Sequence, residues 1–448
     1  MAKKSRWRRI AKLGELSTKV SSSYLGQRVT GMFQGKDDRE LSLRSTHLKN
    51  AERIVDTMSV LKGAAMKVGQ SLAVMADSMD LPDEVSSILS KLNDQAQPVP
   101  FEEIEAVIRS QIDGEVDDIF AYIDPEPLGT ASLAQAHAAQ LKDGQWVVIK
   151  VLHDGVEYSV DTDLKALKSI LLAGRFLQRS KEEIDLIFDE IRERLLEELD
   201  YRQEAKNLEE FHQFFQSIDG VQSPKPILSL CSDRILVMER LVGAPLETFY
   251  QNATPQAKQR AGDLLTAAFH EMLYVFRALH ADPHGGNFLF KEDGSLALID
   301  FGCVKRFSLD FLVDYGRLGN AIIDHEREET LRRACDMEMI LNPNSALEDD
   351  FWDFLQIIAK PFRVGEYFVD GDTLMAEIRE SSNQILKHKG IRAPRDIIFL
   401  HRSLMGTYSM LRKLGHRCNY EDIRRHYVLQ AIDIQDGVVE DRGWDARG

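Results

Sequence analysis

The stretch His280-Ala-Asp-Pro-His-Gly-Gly-Asn287, followed by Asp300-Phe-Gly302, decides the fold and chemistry predicted for this chain. Asp282 and Asn287 lie five positions apart, and Asp300 comes 13 positions after Asn287, at the end of an apolar segment. Phosphoryl transfer requires positioning, neutralisation of phosphate charge and bound Mg²⁺. Mg²⁺ prefers oxygen ligands and keeps several waters. The stretch therefore predicts Asn287 and Asp300 as Mg²⁺ ligands, and Asp282 as the group that accepts a proton from, or orients, the attacking hydroxyl or water.

The same spacing is found in the catalytic loop and metal-binding motif of the protein-kinase fold. Upstream, Lys150 lies in the β-branched run Trp146–Leu152, which predicts a strand that carries an ammonium to the α- and β-phosphates of ATP. Glu204, on the helical segment that follows, is the candidate acid that holds this lysine. We therefore expect an α+β, protein-kinase-like bilobal fold with a β-rich N-lobe and a helical C-lobe, which binds the nucleotide ATP with Mg²⁺.

The chain has no Gly-x-Gly-x-x-Gly loop ahead of Lys150. At that place it has Leu128–Gln135, whose small residues still let backbone N–H groups approach phosphates. The candidates for this contact are Gly129, Thr130, Ala131 and Ser132. Ala and Thr restrict φ more than Gly does, so a stiffer loop is expected. Two further candidates rest on position alone: Glu239 and Leu241 stand where a kinase hinge binds adenine through its backbone.

His280 and His284 lie four apart, which invites interpretation as a metal site. Pro283 and the Gly285-Gly286 pair disfavour a continuous helix, so the two imidazoles are not expected on one helical face. We expect His280 to brace the loop through hydrogen bonds instead.

Composition limits the class of protein. The net charge of −16 disfavours nucleic-acid binding, which needs excess Lys and Arg. Four scattered cysteines suit a reducing compartment and give no zinc-ligand spacing. The sequence shows neither an apolar run long enough to cross a membrane nor the apolar block of a secretory signal. A cytoplasmic location is therefore expected, with peripheral association at the inner face of the membrane left open.

The order along the chain predicts four parts. Residues 1–46 form a basic N-terminal segment, 47–115 a helical extension, 116–242 the N-lobe and 243–448 the C-lobe. Within residues 1–20, seven Lys/Arg accompany an apolar stripe of Trp7, Ile10, Leu13 and Leu16. A basic amphipathic helix of this kind can lie on an anionic membrane surface. A solvated, partly disordered terminus is the equal alternative.

The chain resembles the UbiB/AarF family of atypical kinase-like proteins from about residue 50 to 305, and more loosely to its end. Four motifs carry the resemblance: Lys67-Val68-Gly69-Gln70, Gly129-Thr-Ala-Ser132, Glu198-Leu199-Asp200 and His280-x-Asp-Pro-His-x-Gly-Asn287. The resemblance implies ATPase-type activity without an ordinary protein substrate. It also implies support of quinone or other isoprenoid-lipid metabolism, and hence quinone-synthesis enzymes as partners.

In that family the Lys-x-Gly-Gln helices fold over the cleft where a protein kinase accepts its peptide. The resemblance thus implies that Lys67 and Gln70 point at the nucleotide site. Glu198 and Asp200 are two apart and cannot share a helix face, whereas residues four apart can. The resemblance accordingly supports Glu198 as the partner of Lys67, Asp200 as a nearby acid and Glu204 as the partner of the strand lysine.

Two departures from the family pattern are visible. Gly285-Gly286 stands where the family usually has Pro-Gly, and the chain ends in the charged stretch Asp433–Gly448 instead of hydrophobic helices. Membrane association is therefore expected to be peripheral or absent. In addition, no Ala-Pro-Glu follows Gly302, which disfavours a signalling protein kinase.

Two other functions remain open from the sequence. Small-molecule phosphotransferases of the aminoglycoside and choline kinase type share His-x-Asp-x-x-x-x-Asn and a later metal-binding Asp, but they lack Lys-x-Gly-Gln. A nucleotide-binding scaffold without turnover would keep the fold and the partners, although every catalytic position in this chain is filled.

Overall fold

A computed structural model describes residues 2–31, 35–61, 64–74, 88, 98–173, 181–368, 374–385, 388 and 390–441. The chain divides into two compact units. Unit 1 comprises Met1–Ala205 and Pro226–Arg240, and unit 2 comprises Lys206–Lys225 and Leu241–Gly448.

The described strands are, in chain order, β1 (Phe120–Thr130), β2 (Ala134–Leu141), β3 (Trp146–Leu152), β4 (Val221–Gln222), β5 (Ile235–Glu239), β6 (Ala278–His280), β7 (Phe288–Phe290), β8 (Leu296–Leu298), β9 (Val304–Arg306), β10 (Tyr367–Phe368) and β11 (Arg417–Cys418). The described helices are α1 (Ala2–Gly31), α2 (Lys36–Leu61), α3 (Ala64–Val74), α4 (Phe101–Gln111), α5 (Val116–Ile119), α6 (Val160–Ala173), α7 (Lys181–Glu198), α8 (Tyr201–Phe215), α9 (Leu246–Asn252), α10 (Pro255–His270), α11 (Leu309–Ile323), α12 (Arg327–Asp336), α13 (Ser345–Ile358), α14 (Leu374–Ile385), α15 (Arg395–Leu414), α16 (Tyr420–Ile423) and α17 (Gln430–Gln435). Two π-helical turns, Glu271–Val275 and Arg424–Leu429, extend α10 and precede α17.

The sheet of unit 1 is antiparallel, in the order β1-β2-β3-β5. The strand predicted at Trp146–Leu152 is confirmed as β3, and it forms a hairpin with β2 around the turn at residues 142–145, where Gly144 has φ of +93°. Along β3, Val147, Ile149 and Val151 are fully buried in the core that includes the residues of α4. Side chains alternate between the faces of a strand, so Lys150 points to the opposite face.

The helices of unit 1 enclose a second core, which draws on α1, α2, α3, α6 and α7. Leu13, Leu16 and Val20 of α1 are buried in it. The predicted membrane-facing stripe is therefore wrong for Leu13 and Leu16, because other helices of the same unit cover them. The side chains of Trp7 and Ile10 lie outside those that the structure describes. Across the described residues, helices long and apolar enough to cross a membrane are absent.

The predicted catalytic loop, residues 280–287, belongs to unit 2, where short strands flank it at both ends. β6 pairs with β9 ahead of the loop, and β7 pairs with β8 after it. β8 also pairs in parallel with β4. Asp300 follows β8 and precedes β9. Since β7 pairs with β8, the motifs at residues 280–287 and 300–302, which carry the predicted metal ligands, lie at neighbouring strand ends of unit 2.

The division into units differs from the predicted parts of the chain at three places. Residues 206–225 were expected in the N-lobe, but they belong to unit 2. The reason is local: β4 pairs with β8, and the amide of Asn207 donates a hydrogen bond to the carbonyl of Phe301 at 3.0 Å. The second boundary, after Arg240, lies two residues before the predicted one at 242. The helical extension also clusters with the sheet in unit 1 instead of forming a unit of its own.

Candidate functional site

Lys150 and Glu204 form an ion pair in unit 1. The Nζ of Lys150 donates to Oε1 of Glu204 at 2.6 Å, and the two side chains are 14% and 6% exposed. Lys150 is positioned by β3, which is hydrogen-bonded on both sides by β2 and β5. Glu204 lies in the first turn of α8. The structure therefore brings together the two residues that the sequence paired as phosphate-binding lysine and supporting acid.

Lys67 and Glu198 form a second pair in unit 1. The Nζ of Lys67, on α3, lies 2.8 Å from Oε1 of Glu198, at the end of α7, and both side chains are about one-third exposed or less. Gln70 is half-buried one turn further along α3. Asp200 is exposed, and its Oδ1 accepts a hydrogen bond from the backbone N–H of Gln203 at 2.9 Å. Asp200 thus caps the first turn of α8.

The small-residue loop connects β1 to β2. Gly129 and Thr130 are the last residues of β1 and pair with β2, while Ala131 and Ser132 form the turn. The N–H of Ala131 already donates to the carbonyl of Ala134 at 2.8 Å, and Ser132 is buried. A Cβ on Gly129 would meet no other atom within 4 Å. The open space above Gly129 leaves room for a ligand to approach the backbone there.

The two residues predicted to contact adenine lie on either side of the boundary between the units. Glu239 ends β5 of unit 1, where it pairs with Val147. The N–H of Arg240 donates to the carbonyl of Trp146 at 3.1 Å. Leu241 is the first residue of the second segment of unit 2. An adenine-binding role for Glu239 and Leu241 stays a prediction.

In unit 2, His280 and Asn287 form one hydrogen-bond network. Asn287 Nδ2 lies 3.1 Å from the carbonyl of Asp282 and 3.2 Å from Nε2 of His280. Nδ1 of His280 lies 3.3 Å from the carbonyl of Cys303. Burial lowers the pKa of His280, which favours a neutral imidazole. A neutral ring protonated on Nδ1 satisfies every contact, because the ring then donates to Cys303 and accepts from Asn287. The bracing role predicted for His280 is therefore what the contacts describe.

This network leaves the side-chain oxygen of Asn287 for a ligand. Both hydrogens of its amide have acceptors, so Oδ1 is the atom not used by the loop. Oδ1 of Asp300 accepts the N–H of Gly302 at 3.1 Å, which fixes the carboxylate to its own turn. Among the described residues, clusters of three or more His, Cys, Asp or Glu side chains that could enclose a metal are absent. One amide and one carboxylate oxygen fit Mg²⁺, which takes few protein ligands and completes its shell with water and phosphate.

Asp282 is held by a residue that the sequence did not single out. Nη2 of Arg402, on α15, lies 2.7 Å from Oδ1 of Asp282. Burial on its own raises the pKa of this carboxyl, but Arg402, together with His284 and His280, outweighs burial and keeps the pKa below its usual value. No sequence signal pointed to Arg402, because it lies far along the chain on an ordinary amphipathic helix.

Comparison with known proteins identifies a domain family. The ABC1 atypical kinase-like domain matches residues 91–334. Atypical kinase COQ8, mitochondrial, of Saccharomyces cerevisiae is 26% identical over 416 residues, which cover 92% of this chain and 82% of the yeast protein. AarF domain-containing protein kinase 1 of Xenopus laevis is 30% identical over 300 residues, which cover 66% of this chain and 57% of the frog protein.

A solved structure extends the comparison to the fold. The Rv3197–erythromycin complex from Mycobacterium tuberculosis aligns with a TM-score of 0.62 over 88% of this chain and 98% of that chain. At 23% identity, this likeness bears on the fold alone. It supports the predicted α+β, kinase-like architecture with an antiparallel N-lobe sheet. Since the matched domain covers more than half of the sequence, the chain belongs to the UbiB/AarF family of atypical kinase-like proteins.

Proposed function

We propose that this chain is an atypical kinase-like ATPase that uses Mg-ATP. The observation that carries the proposal is the buried ion pair of Lys150 and Glu204, 2.6 Å apart. A lysine fixed in this way on a rigid strand is suited to neutralise the α- and β-phosphates. The small-residue loop at Gly129 would approach the phosphates through its backbone, and the segment from Glu239 to Leu241 would bind the adenine.

Asn287 and Asp300 would hold Mg²⁺ through Oδ1 and a carboxylate oxygen. When bound, Mg²⁺ neutralises the charge that develops on the phosphates during transfer. The protein orients these two ligands through its own hydrogen bonds, from Asn287 to His280 and from Gly302 to Asp300. Neither ligand then needs to reorganise when the nucleotide arrives.

Asp282 is better suited to orient the nucleophile than to remove its proton. Arg402 holds the pKa of this carboxyl low, and a carboxylate with a low pKa is a weak base. In a loose phosphoryl-transfer transition state, little deprotonation of the nucleophile is needed before transfer. We therefore assign Asp282 the positioning of the water or hydroxyl that attacks.

Release of ADP by the purified chain in a Mg²⁺ titration tests this function. We expect turnover that depends on Mg²⁺ and falls by about a hundredfold or more in Asp300→Asn, since a developing charge loses its partner. Glu292→Gln removes one negative charge from an exposed residue nearby in sequence and should behave as wild type. Turnover in Asp300→Asn equal to wild type would contradict the metal assignment.

We further propose that this activity serves quinone or isoprenoid-lipid metabolism, as the likeness to the COQ8 proteins suggests, with quinone-synthesis enzymes as partners. Quinone profiles of a deletion strain should show a deficit that the wild-type gene restores and the Asp300→Asn gene does not. Unchanged quinone levels in the deletion strain would contradict this role and leave the ATPase assignment standing.

A peripheral position at the inner face of the membrane would fit this role. Flotation of the full chain with anionic liposomes tests it, and Lys3→Gln, Lys4→Gln and Arg6→Gln together test the basic segment. These changes leave Leu13 and Leu16 in their core. Undiminished flotation of the triple variant would exclude those charges as the membrane contact.

A further inference from the structure

Helix α15 contacts the catalytic loop at three places. Its Arg402 Nη2 lies 2.7 Å from Oδ1 of Asp282. The hydroxyl of its Ser403, which is buried, donates to the carbonyl of His280 at 2.7 Å. Its Gly406 lies so close to Pro283 that a Cβ at that position would be 2.2 Å from the carbonyl oxygen of Pro283.

These three positions lie on one side of the helix. Residues 402 and 406 are four apart and residues 403 and 406 are three apart, so all three positions lie next to one another on the helix surface. Gly406 is needed there because a side chain would push into the Pro283 backbone, which cannot move without shifting the loop. The start of α15 is tied to β9 as well, since Asp396 pairs with Lys305 at 2.6 Å. The loop from 280 to 283 is thus held in place by α15, which lies outside the kinase-like motifs.

Of these three residues of α15, Arg402 is the one that contacts a side chain of the proposed catalytic machinery. A hydrogen bond between a guanidinium and a carboxylate is charge-assisted and directional. It fixes the rotation of the Asp282 carboxylate through Oδ1, which leaves Oδ2 to meet the nucleophile. Arg402 and Asp282 remain partly exposed, at 29% and 40%, so a reactant can reach the pair.

We propose that Arg402 is a positioning residue for phosphoryl transfer, and that the face of α15 formed by Arg402, Ser403 and Gly406 keeps Asp282 in its working orientation. This inference rests on the proposed function. It assigns to α15 a part in the reaction that the kinase-like motifs do not contain.

The test measures kcat for ADP release and the Kd of ADP in Arg402→Gln, Arg402→Lys and the control Arg412→Gln. Arg412 is an exposed residue of the same helix, so its variant makes the same charge change away from the loop. We expect Arg402→Gln to lower kcat by about tenfold to a hundredfold with Kd within about twofold of wild type, since misplacement of a catalytic group acts on the reaction step. Arg402→Lys keeps the charge and loses the planar fork, so it should recover part of kcat.

A double variant separates positioning from general damage. In the Asp282→Asn background, Arg402→Gln should cause little further loss of kcat, because the group that it positions is gone. Melting temperatures identify any variant that fails to fold, and Arg402→Lys is the milder replacement in that event.

Two results would overturn this inference and leave the proposed function standing. In the first, the kcat losses of Arg402→Gln and Asp282→Asn multiply in the double variant. In the second, Arg402→Gln has the same kcat as Arg412→Gln although Asp282→Asn is impaired. Absence of ADP release from the wild-type chain would overturn the proposed function, and this inference with it.

Discussion

The Nζ of Lys150 lies 2.6 Å from Oε1 of Glu204, although 54 positions separate the two residues in the chain. Both side chains are largely buried. A buried ion pair contributes little net stability, because desolvation offsets the attraction, but loss of one partner costs roughly 3 to 5 kcal/mol. A functional use is the better reason to place a lysine there, since buried charges with a specific charged partner concentrate at functional sites.

The pair formed by Lys67 and Glu198 should affect turnover more than stability. Both side chains are about one-third exposed or less, so Lys67→Ala should change the free energy of unfolding by no more than about 1 kcal/mol. If Lys67 points at the nucleotide, ADP release or nucleotide affinity should change by about fivefold or more, since a charge-assisted contact to phosphate is lost. Lys49→Ala, at an exposed position on α2, is the control. Equal kinetics in both variants would contradict a role at the nucleotide.

The buried stripe of α1 should be structural. Leu16 is 2% exposed and Leu25, on the same helix, is 64% exposed. Leu16→Ala should lower the free energy of unfolding by about 2 to 5 kcal/mol, and Leu25→Ala by less than about 0.5 kcal/mol. Urea denaturation measures both. A Leu16→Ala protein as stable as wild type, yet impaired in liposome flotation, would favour the membrane-facing stripe.

Acid should destabilise unit 2 through two histidines. Burial lowers the pKa of His270 and of His401 to about 4. The unfolded chain takes up these protons near pH 6.5 and the folded chain only near pH 4. The stability that depends on neutral rings is therefore complete above about pH 6.5 and falls as the pH drops towards 4, by at most about 3 kcal/mol for each ring.

Denaturation at pH 7, 5.5 and 4.5 measures this slope. His401→Gln should flatten it, and His426→Gln, which changes an exposed ring, should leave it as in wild type. A His401→Gln slope as steep as that of wild type would show that His401 does not carry the effect.

Local signals predicted much of unit 1 and of the catalytic loop. The hairpin at 142–145 follows from Asp143-Gly144 ahead of the β-branched segment Trp146–Leu152, and that segment also placed Lys150 on a strand. The pairing of Lys150 with Glu204 could not be predicted from local signals alone, because the residues between them do not indicate that the two side chains meet. It was predicted from the order of motifs in the protein-kinase fold.

The rest depended on packing partners that no short pattern contains. An apolar and basic stripe does not specify whether lipid or another helix covers it, and for Leu16 it is another helix. Asp200 has the spacing of a site acid, but its carboxylate caps α8, as Asp does at many helix starts. Arg402 reaches Asp282 only through the path of α15 across the loop, so the sequence could not reveal it.

The central claim, that this chain turns over ATP with a phosphate-binding lysine held by Glu204, has one most direct test. ADP release at saturating Mg-ATP is compared among wild type, Lys150→Ala, Glu204→Gln and Glu197→Gln, an exposed acid on α7 that serves as the control. We expect Mg²⁺-dependent release by wild type and Glu197→Gln, and losses of about tenfold or more in Lys150→Ala and Glu204→Gln. Release by folded Lys150→Ala at the wild-type rate would contradict the claim.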